Sequence, residues 1–298
     1  MKREKIYLIR LPLVCNFNCR FCFLEKREIN SFHFNLKDFF RLIDEAKKTN
    51  STKIVFAGGE PTLIKELPLL ISYAKKRKIP EVQLQTNGLK CSYENYVQKL
   101  KKAGLDSVLV GFHSHQEFKF NFLTRTRGYF SQVLMGIKNL FKYKIEVSFN
   151  HTITSLTYRN LEEYVKFILK NFPKPKSIFL TFVYPTGQCW KNKYLIPKVG
   201  KVAPYFLKAL KYCLKNQVVV KTPHCGMPGF PLCLLKEEEM NLEKLISSGR
   251  KNIKTKEFNC VNIKLKRCQE CKYDKKCVGI SLNYIKLYGS KEFKPVRK

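Results

Sequence analysis

The sequence predicts an α/β fold: a parallel sheet curled as a full or partial barrel, followed by a small cysteine-rich appendage. Two observations carry that expectation. Strand-like apolar runs alternate with helix-like periodic stretches through the first two thirds of the 298 residues. After residue 217 the pattern breaks into short strand-like pieces and loops that hold six of the twelve cysteines. No internal repeat or low-complexity linker interrupts the order.

The run "IYLIRLP" (6 to 12) reads as the first strand, and "LKDFFRLIDEAKK" (36 to 48) as a helix with apolar residues three and four apart. Strand "KIVFA" (53 to 57), helix 65 to 78, strand "EVQLQT" (81 to 86) and a helix over 92 to 103, ended by Gly104, come next. Strand "SVLVGFH" (107 to 113), helix 130 to 142, strand "IEVSFNHTI" (145 to 153), helix 160 to 171 and strand "SIFLTFVY" (177 to 184) complete six β/α alternations. Units of this length imply parallel strands with crossover helices. A last helix is expected near 203 to 216. Ligands of such sheets sit beyond the carboxyl ends of the strands. The motifs fall there: cysteines after the first strand, "GGEP" after the second, "TNG" after the third and "HSH" after the fourth.

Composition removes some classes. With 44% hydrophobic and 13% aromatic residues the chain has material for a core. The opening ten residues hold no signal-peptide pattern, and no uncharged apolar run reaches the length of a membrane span. The expected location is cytoplasmic, with no membrane partner. Thiols stay reduced there, so clustered cysteines point to metal and not to a disulfide framework. The charge is extreme: 57 basic against 23 acidic residues, a formal +34. Such a chain attracts polyanions, so RNA or another anionic partner enters as an expectation. Lys outnumbers Arg, as genome composition alone would bias it, but that bias does not account for the scarcity of Asp and Glu.

The stretch "CNFNCRFCF" (15 to 23) places Cys15, Cys19 and Cys22 at x3 and x2 spacing. Structural zinc asks for four ligands, and His33 is the only further Cys or His within a few residues of this triplet. Three thiolates can instead hold three irons of a [4Fe-4S] cluster and leave the fourth iron open for chemistry. "AGGEPTL" (57 to 63) ends the second strand; Gly58 and Gly59 would let backbone approach a ligand closely, and Glu60 offers an acceptor.

Cx3CxφC after the first strand, with Phe21 as the aromatic φ, together with GGEP after the second, resembles the radical S-adenosylmethionine (radical SAM) superfamily over residues 6 to about 184. The resemblance implies a partial (β/α)6 TIM-like barrel spanning 1 to 217. It implies a [4Fe-4S] cluster on Cys15, Cys19 and Cys22 whose open iron chelates S-adenosylmethionine (SAM). Reductive cleavage of SAM would give a 5′-deoxyadenosyl radical that abstracts a substrate hydrogen. Gly58, Gly59 and Glu60 would form the SAM site, with Glu60 toward the methionine ammonium and Phe21 toward adenine. Asn87, Ser114 and Arg125 or Arg127 occupy strand-end regions where relatives contact SAM; turn chemistry or solvent exposure also accounts for them. An electron donor such as flavodoxin or ferredoxin is implied as a partner.

His113 and His115 could serve proton transfer or stand as satisfied polar residues. Cys91 and Cys213 read as packing residues. Cys189 could face the barrel mouth.

Downstream, Cys260, Cys268, Cys271 and Cys277 follow Cys225 and Cys233, and the core Cx2Cx5C suits iron–sulfur or zinc. In context, residues 218 to 298 resemble the auxiliary-cluster domains called SPASM and twitch, although Ser281 stands where the full SPASM pattern has a further Cys. The expectation is one auxiliary [4Fe-4S] cluster on Cys268, Cys271 and Cys277, with the fourth ligand from Cys233 or Cys260; Cys225 could be a ligand or could leave an iron open to substrate. Relatives with such domains imply a peptide or protein substrate, oxidised at a side chain. RNA or a phosphorylated metabolite is the alternative that the charge suggests. A non-catalytic iron–sulfur electron carrier is a reading from another class.

Overall fold

The computed structural model describes residues 5–25, 34–221, 231–234, 253–254, 262–275, 277 and 279–297. The expected alternation forms. Strands β1 (Ile6–Arg10), β2 (Lys53–Ala57), β3 (Glu81–Thr86), β4 (Ser107–Gly111), β5 (Glu146–Ile153) and β6 (Ser177–Phe182) lie side by side in sequence order, all parallel. Two-residue strands extend the edges. β7 (Val220–Lys221) pairs with β6 and β8 (Ile253–Lys254) with β1, which makes an open, curled sheet of eight strands.

Helices α1 (Leu36–Lys48), α2 (Leu67–Lys76), α3 (Glu94–Lys102), α5 (Tyr129–Lys142) and α6 (Leu161–Asn171) return the chain between strands. Their spacing explains their packing. In α1 the apolar Phe39, Ile43 and Ala46 share one buried stripe, and the Asn35 side chain caps the first turn by accepting from Lys37 N at 3.1 Å. A short helix α7 (Gly187–Lys191) follows β6, and the helix expected at 203 to 216 is longer, α8 (Val199–Lys215), and runs through Pro204. Helix α4 (Glu117–Thr124) has no counterpart in the sequence reading: Phe118, Phe120 and Phe122 alternate with Glu117, Lys119 and Asn121, so no 3.6 period marks it. Strands expected to reach 113 and 184 stop at Gly111 and Phe182, where the chain turns into the loops of the barrel mouth.

The two faces of the sheet differ. One carries Ile54, Phe56, Val82, Leu84, Val108, Val110, Val147, Phe149, Ile178 and Leu180, all fully buried. The other is polar. Lys53 pairs with Glu81 at 3.0 Å, Ser107 donates to Glu81 at 2.7 Å, Gln83 donates to Ser107 at 3.2 Å, Ser148 meets Ser177 at 2.9 Å, and Thr181 donates to Asn150 at 2.7 Å. A closed (β/α) barrel fills its inside with branched apolar residues. Here Gln85, Leu109, Asn150 and Phe179 of that face remain partly open.

Residues 262–297 add the antiparallel pair β9 (Asn262–Ile263) and β10 (Ile280–Ser281) and helix α9 (Leu282–Tyr288). Tyr284 anchors them. Its ring is buried against Phe182 and Phe293, and its hydroxyl accepts from Val199 N at 2.8 Å and donates to Glu292, which also accepts from Gly200 N at 2.7 Å. No helix among the described residues is long and apolar enough to cross a membrane.

Candidate active site

The cysteine loop follows β1 and is held from three sides. The first side is the end of β2. Leu11 N donates to Ala57 O at 2.7 Å and Glu60 N to Val14 O at 2.7 Å. A Cβ on Gly58 would lie 2.6 Å from Leu11 O, and one on Gly59 would lie 2.3 Å from both Leu13 O and Val14 O. The close approach that these glycines permit here is to the loop backbone.

Glu60 follows directly in the chain. Its carboxylate is 1% exposed and accepts from Thr62 N at 3.0 Å, Thr62 Oγ1 at 2.6 Å, Thr86 Oγ1 at 2.6 Å and Asn87 N at 2.7 Å. A carboxylate has about four acceptor positions. Four donors from the protein already occupy this one, so it acts as a hub that joins the ends of β2 and β3. Burial pushes its pKa up, and the four hydrogen bonds oppose that shift.

The second side is α4, where Asn18 N donates to Thr124 O at 3.2 Å and Arg20 N to Leu123 O at 2.8 Å. Phe17 fills the space beneath, its ring 6.2 Å from Phe120 and 6.0 Å from Tyr129. The third side is the loop after β6, which sequence reasoning missed. Gln188 N donates to Leu24 O at 3.2 Å, Cys189 N to Cys22 O at 3.1 Å, and the Asn192 amide to Arg20 O at 3.2 Å. A Cβ on Gly187 would meet Phe23 O at 2.2 Å. Cys189 is buried beside Cys22 of the cysteine loop.

Between these braces stand Cys15, Cys19 and Cys22, each half-buried. Burial pushes the Cys15 thiol up to about 11, against the hydrogen bond from Phe17 N to its sulfur at 3.4 Å. Cys19 is raised well above the ordinary thiol value by burial and then by its neighbours Cys22 and Cys15. Thiols this close repel one another as thiolates, a cost that a bound cation removes. Among the described residues, no three His, Cys, Asp or Glu side chains converge on a single ion. A cubane of four irons needs thiolates spread around a larger body, and three thiols on one short braced loop fit such a cluster.

The remaining predicted residues fall around this loop. Asn87 donates to Asn16 Oδ1 at 2.7 Å and accepts from Leu89 N at 3.0 Å. The Ser114 hydroxyl is closed in a turn, donating to Gln116 O at 3.1 Å and accepting from Gln116 N at 3.0 Å. Arg125 caps α4 in the left-handed conformation and is exposed, its charge felt at Cys19. Phe21 lies edge-on to His113 at 4.6 Å. His113 accepts from Thr152 N at 3.1 Å, and burial pushes it down to about 3, so it stands as a neutral, satisfied residue. His115 packs near Phe167 and Tyr164. Cys91 and Cys213 are buried.

The second group gathers Cys233, Cys268, Cys271 and Cys277 on one cavity with Lys264 and Asp274, which pair at 2.9 Å. Tight turns form it: Cys271 N donates to Cys268 O at 3.0 Å and Cys277 N to Tyr273 O at 2.7 Å. Cys233 is pushed up to about 12 by burial and then by the other three thiols. His33, Cys225 and Cys260 lie outside the described residues.

Residues 9–169 match the family profile of the Radical SAM superfamily. The chain belongs to this superfamily. It is a radical SAM enzyme, and membership implies a [4Fe-4S] cluster and SAM. The chain is 32% identical over 181 residues to a "Probable GTP 3′,8-cyclase" of Saccharolobus islandicus (strain Y.N.15.51 / Yellowstone #2), covering 60% of this chain and 57% of that protein. It is 35% identical over 116 residues to one of Thermoplasma volcanium, covering 39% and 35%. The matched stretch is thus little more than half of the first relative and about a third of the second. Among solved structures, Streptococcus suis SuiB bound to precursor peptide SuiA superposes with a TM-score of 0.60 at 19% identity, over 74% of this chain and 49% of that one. Native anSMEcpe with bound AdoMet and Kp18Cys peptide gives 0.59 at 20%, over 72% and 63%. These likenesses are of fold.

Proposed function

We propose that Cys15, Cys19 and Cys22 hold the SAM-binding [4Fe-4S] cluster and that the chain uses it to abstract hydrogen from a polar, anionic small molecule in the barrel lumen. The braced loop with its three thiols carries the first half of this reading. The cluster with SAM supplies the chemistry: one-electron cleavage of the sulfonium to a 5′-deoxyadenosyl radical. The chain's own residues do the rest. Gly58 and Gly59 bring the end of β2 under the loop, and the Glu60 hub fixes the β3 end so that Asn87 braces the loop through Asn16. Phe21, backed by neutral His113, offers an apolar edge for adenine. The backbone edge around Gly59 and Glu60 is left as the partner for the methionine ammonium, with Ser114 and Arg125 on the rim.

The polar inner face supports the substrate class. Register sets Arg10, Ala57, Gln85 and Leu109 in one row across the sheet, and Gly111, Asn150, Phe179 and Lys221 in the next. Amide groups stand in the middle, and a cation stands at either edge: Arg10 is 5.8 Å from the Phe23 ring and Lys221 is 5.9 Å from the Phe179 ring. Such a wall suits a phosphorylated or carboxylated metabolite.

A second reading, oxidation of a peptide or protein side chain, is favoured by the other four-cysteine group. An auxiliary [4Fe-4S] cluster on Cys233, Cys268, Cys271 and Cys277 would accept the electron of a product radical. Residues 218–298 would then form a SPASM/twitch-like domain beside a barrel of 1–217. Cys233 is the fourth ligand of this reading because it lines one cavity with the other three.

The test is SAM cleavage by anaerobically reconstituted, dithionite-reduced protein, read as 5′-deoxyadenosine. Wild type is expected to produce it and Cys15→Ala/Cys19→Ala/Cys22→Ala to lose it. Stimulation by nucleotides or sugar phosphates, diminished in Gln85→Leu/Asn150→Leu, supports the lumen reading; stimulation only by peptides overturns it.

A further inference from the structure

Helix α4 carries an outward face that the site leaves unexplained. Phe120, Leu123 and Thr124 are buried, but Phe118 and Phe122, one turn apart, are 68% and 42% exposed. Cations surround them. The Arg20 guanidinium lies 4.3 Å over the Phe122 ring and donates to Phe122 O at 3.0 Å, and the Lys119 ammonium is 5.7 Å from the Phe118 ring. Arg125 and Arg127, both exposed, follow the helix. Across 14–25 and 113–130 the acidic residues are Glu25 and Glu117, against Arg20, Lys119, Arg125 and Arg127.

This face is continuous with the cysteine loop. Arg20 sits between Cys19 and Cys22, and the loop is bonded to the last turn of α4 through Asn18 and Arg20. Exposed aromatics ringed by arginine are the residues on which protein interfaces concentrate their binding energy. Together with a formal +34 they select an acidic partner.

We infer that the α4 face is the docking site of an acidic one-electron redox protein that reduces the cluster on Cys15, Cys19 and Cys22. The inference rests on that cluster reading. One electron leaves the partner's reduced flavin or iron–sulfur centre and enters the cluster; no atom or group is transferred. Electron transfer weakens steeply with distance, so a partner must seat close to the loop, and here it meets Arg20, whose backbone links two ligands. Single-stranded nucleic acid also stacks on Phe and Arg. The junction with the cysteine loop favours the redox partner.

The test compares Phe118→Glu/Phe122→Glu with Leu69→Glu/Leu214→Glu, two equally exposed apolar positions on α2 and α8 that receive the same charge. Binding of an acidic flavodoxin to the reconstituted enzyme is read by titration calorimetry at low and high salt. Cluster reduction is read by the loss of visible absorbance with reduced flavodoxin and with dithionite. The α4 variant is expected to bind at least about tenfold more weakly. Its reduction by flavodoxin should slow in step while reduction by dithionite stays at the wild-type rate, and wild-type binding should weaken with salt. Equal affinity in both variants, or loss of oligoribonucleotide binding in place of flavodoxin binding, overturns the inference. If the wild type takes up no cluster, the cluster reading fails, while the calorimetry still reports whether the face docks the partner.

Discussion

The two cysteine groups are built in opposite ways. Cys15, Cys19 and Cys22 stand on a loop braced by residues far away in sequence: Asn192 reaches Arg20 across 172 positions, and Asn87 reaches Asn16 across 71. Cys268, Cys271 and Cys277 are shaped by their own turns, and Cys233 alone comes from a distance. The first group is held in place by long-range contacts of the fold. On the proposed auxiliary-cluster reading, the second would draw more of its stability from the bound cluster, as small metal-bound modules do.

The sharpest way to break this contrast is to disturb the backbone under each group. Gly59→Ala places a Cβ 2.3 Å from two carbonyl oxygens of the first loop, and backbone must move. Loss of more than about 3 kcal/mol and of the first cluster is expected from thermal melts and iron analysis. Gly289→Ala, just after α9, meets nothing within 4 Å and suffers only from its backbone, whose φ of 72° and ψ of −170° are nearly confined to glycine. It should cost about 1–3 kcal/mol and no iron.

Smaller in effect is Glu60→Gln. An amide cannot accept from four donors, because one end now donates, so roughly 1–3 kcal/mol of stability should go. SAM cleavage should fall through looser positioning of the loop, and the denaturation midpoint and cleavage rate together check this. In the second group, Cys233→Ser should remove about four irons and leave SAM cleavage intact, whereas Cys260→Ser should remove none. The reverse result would move the fourth ligand to Cys260.

The smallest effects are titrations. Burial holds His113 down to about 3, so it is neutral when folded and charged when unfolded below its ordinary 6.5. Stability should therefore fall as pH drops from about 6.5 toward 3. Glu81 is held at about 2: burial alone would raise it, but Ser107, Lys53 and Lys176 outweigh that. Its contribution is present above its ordinary 4.5 and is lost as pH falls toward 2. His113→Gln should flatten the upper part of the acid limb and Glu81→Gln the lower part, measured as urea midpoints against pH.

Much of this arrangement was legible in the sequence. Six strands were readable because "KIVFA" and "EVQLQT" have lengths and boundaries that helices do not share, and the triplet stood out by spacing. The alternating polar residues of "EVQLQT" and "IEVSFNHTI" already contained the polar lumen wall, Gln83, Gln85, Ser148 and Asn150. That pattern becomes a wall only once parallel register aligns it. Helix α4 lacked a period, and β7 and β8 are two residues each, so no local pattern marked them. The Glu60 partners Thr86 and Asn87, 26 and 27 positions away, and the clamp of Gly187 and Asn192 on the cysteine loop are long-range contacts without a local signature. Spacing also could not rank Cys233 against Cys260, because Cys233 is 35 positions from Cys268 and only folding brings it there.

The most direct test of the central claim is iron and acid-labile sulfide in anaerobically reconstituted wild type beside Cys15→Ala/Cys19→Ala/Cys22→Ala. A fall from about eight irons to about four is predicted, with the remaining four lost on Cys233→Ser. Unchanged iron in the triple variant would contradict the assignment of a cluster to the braced loop.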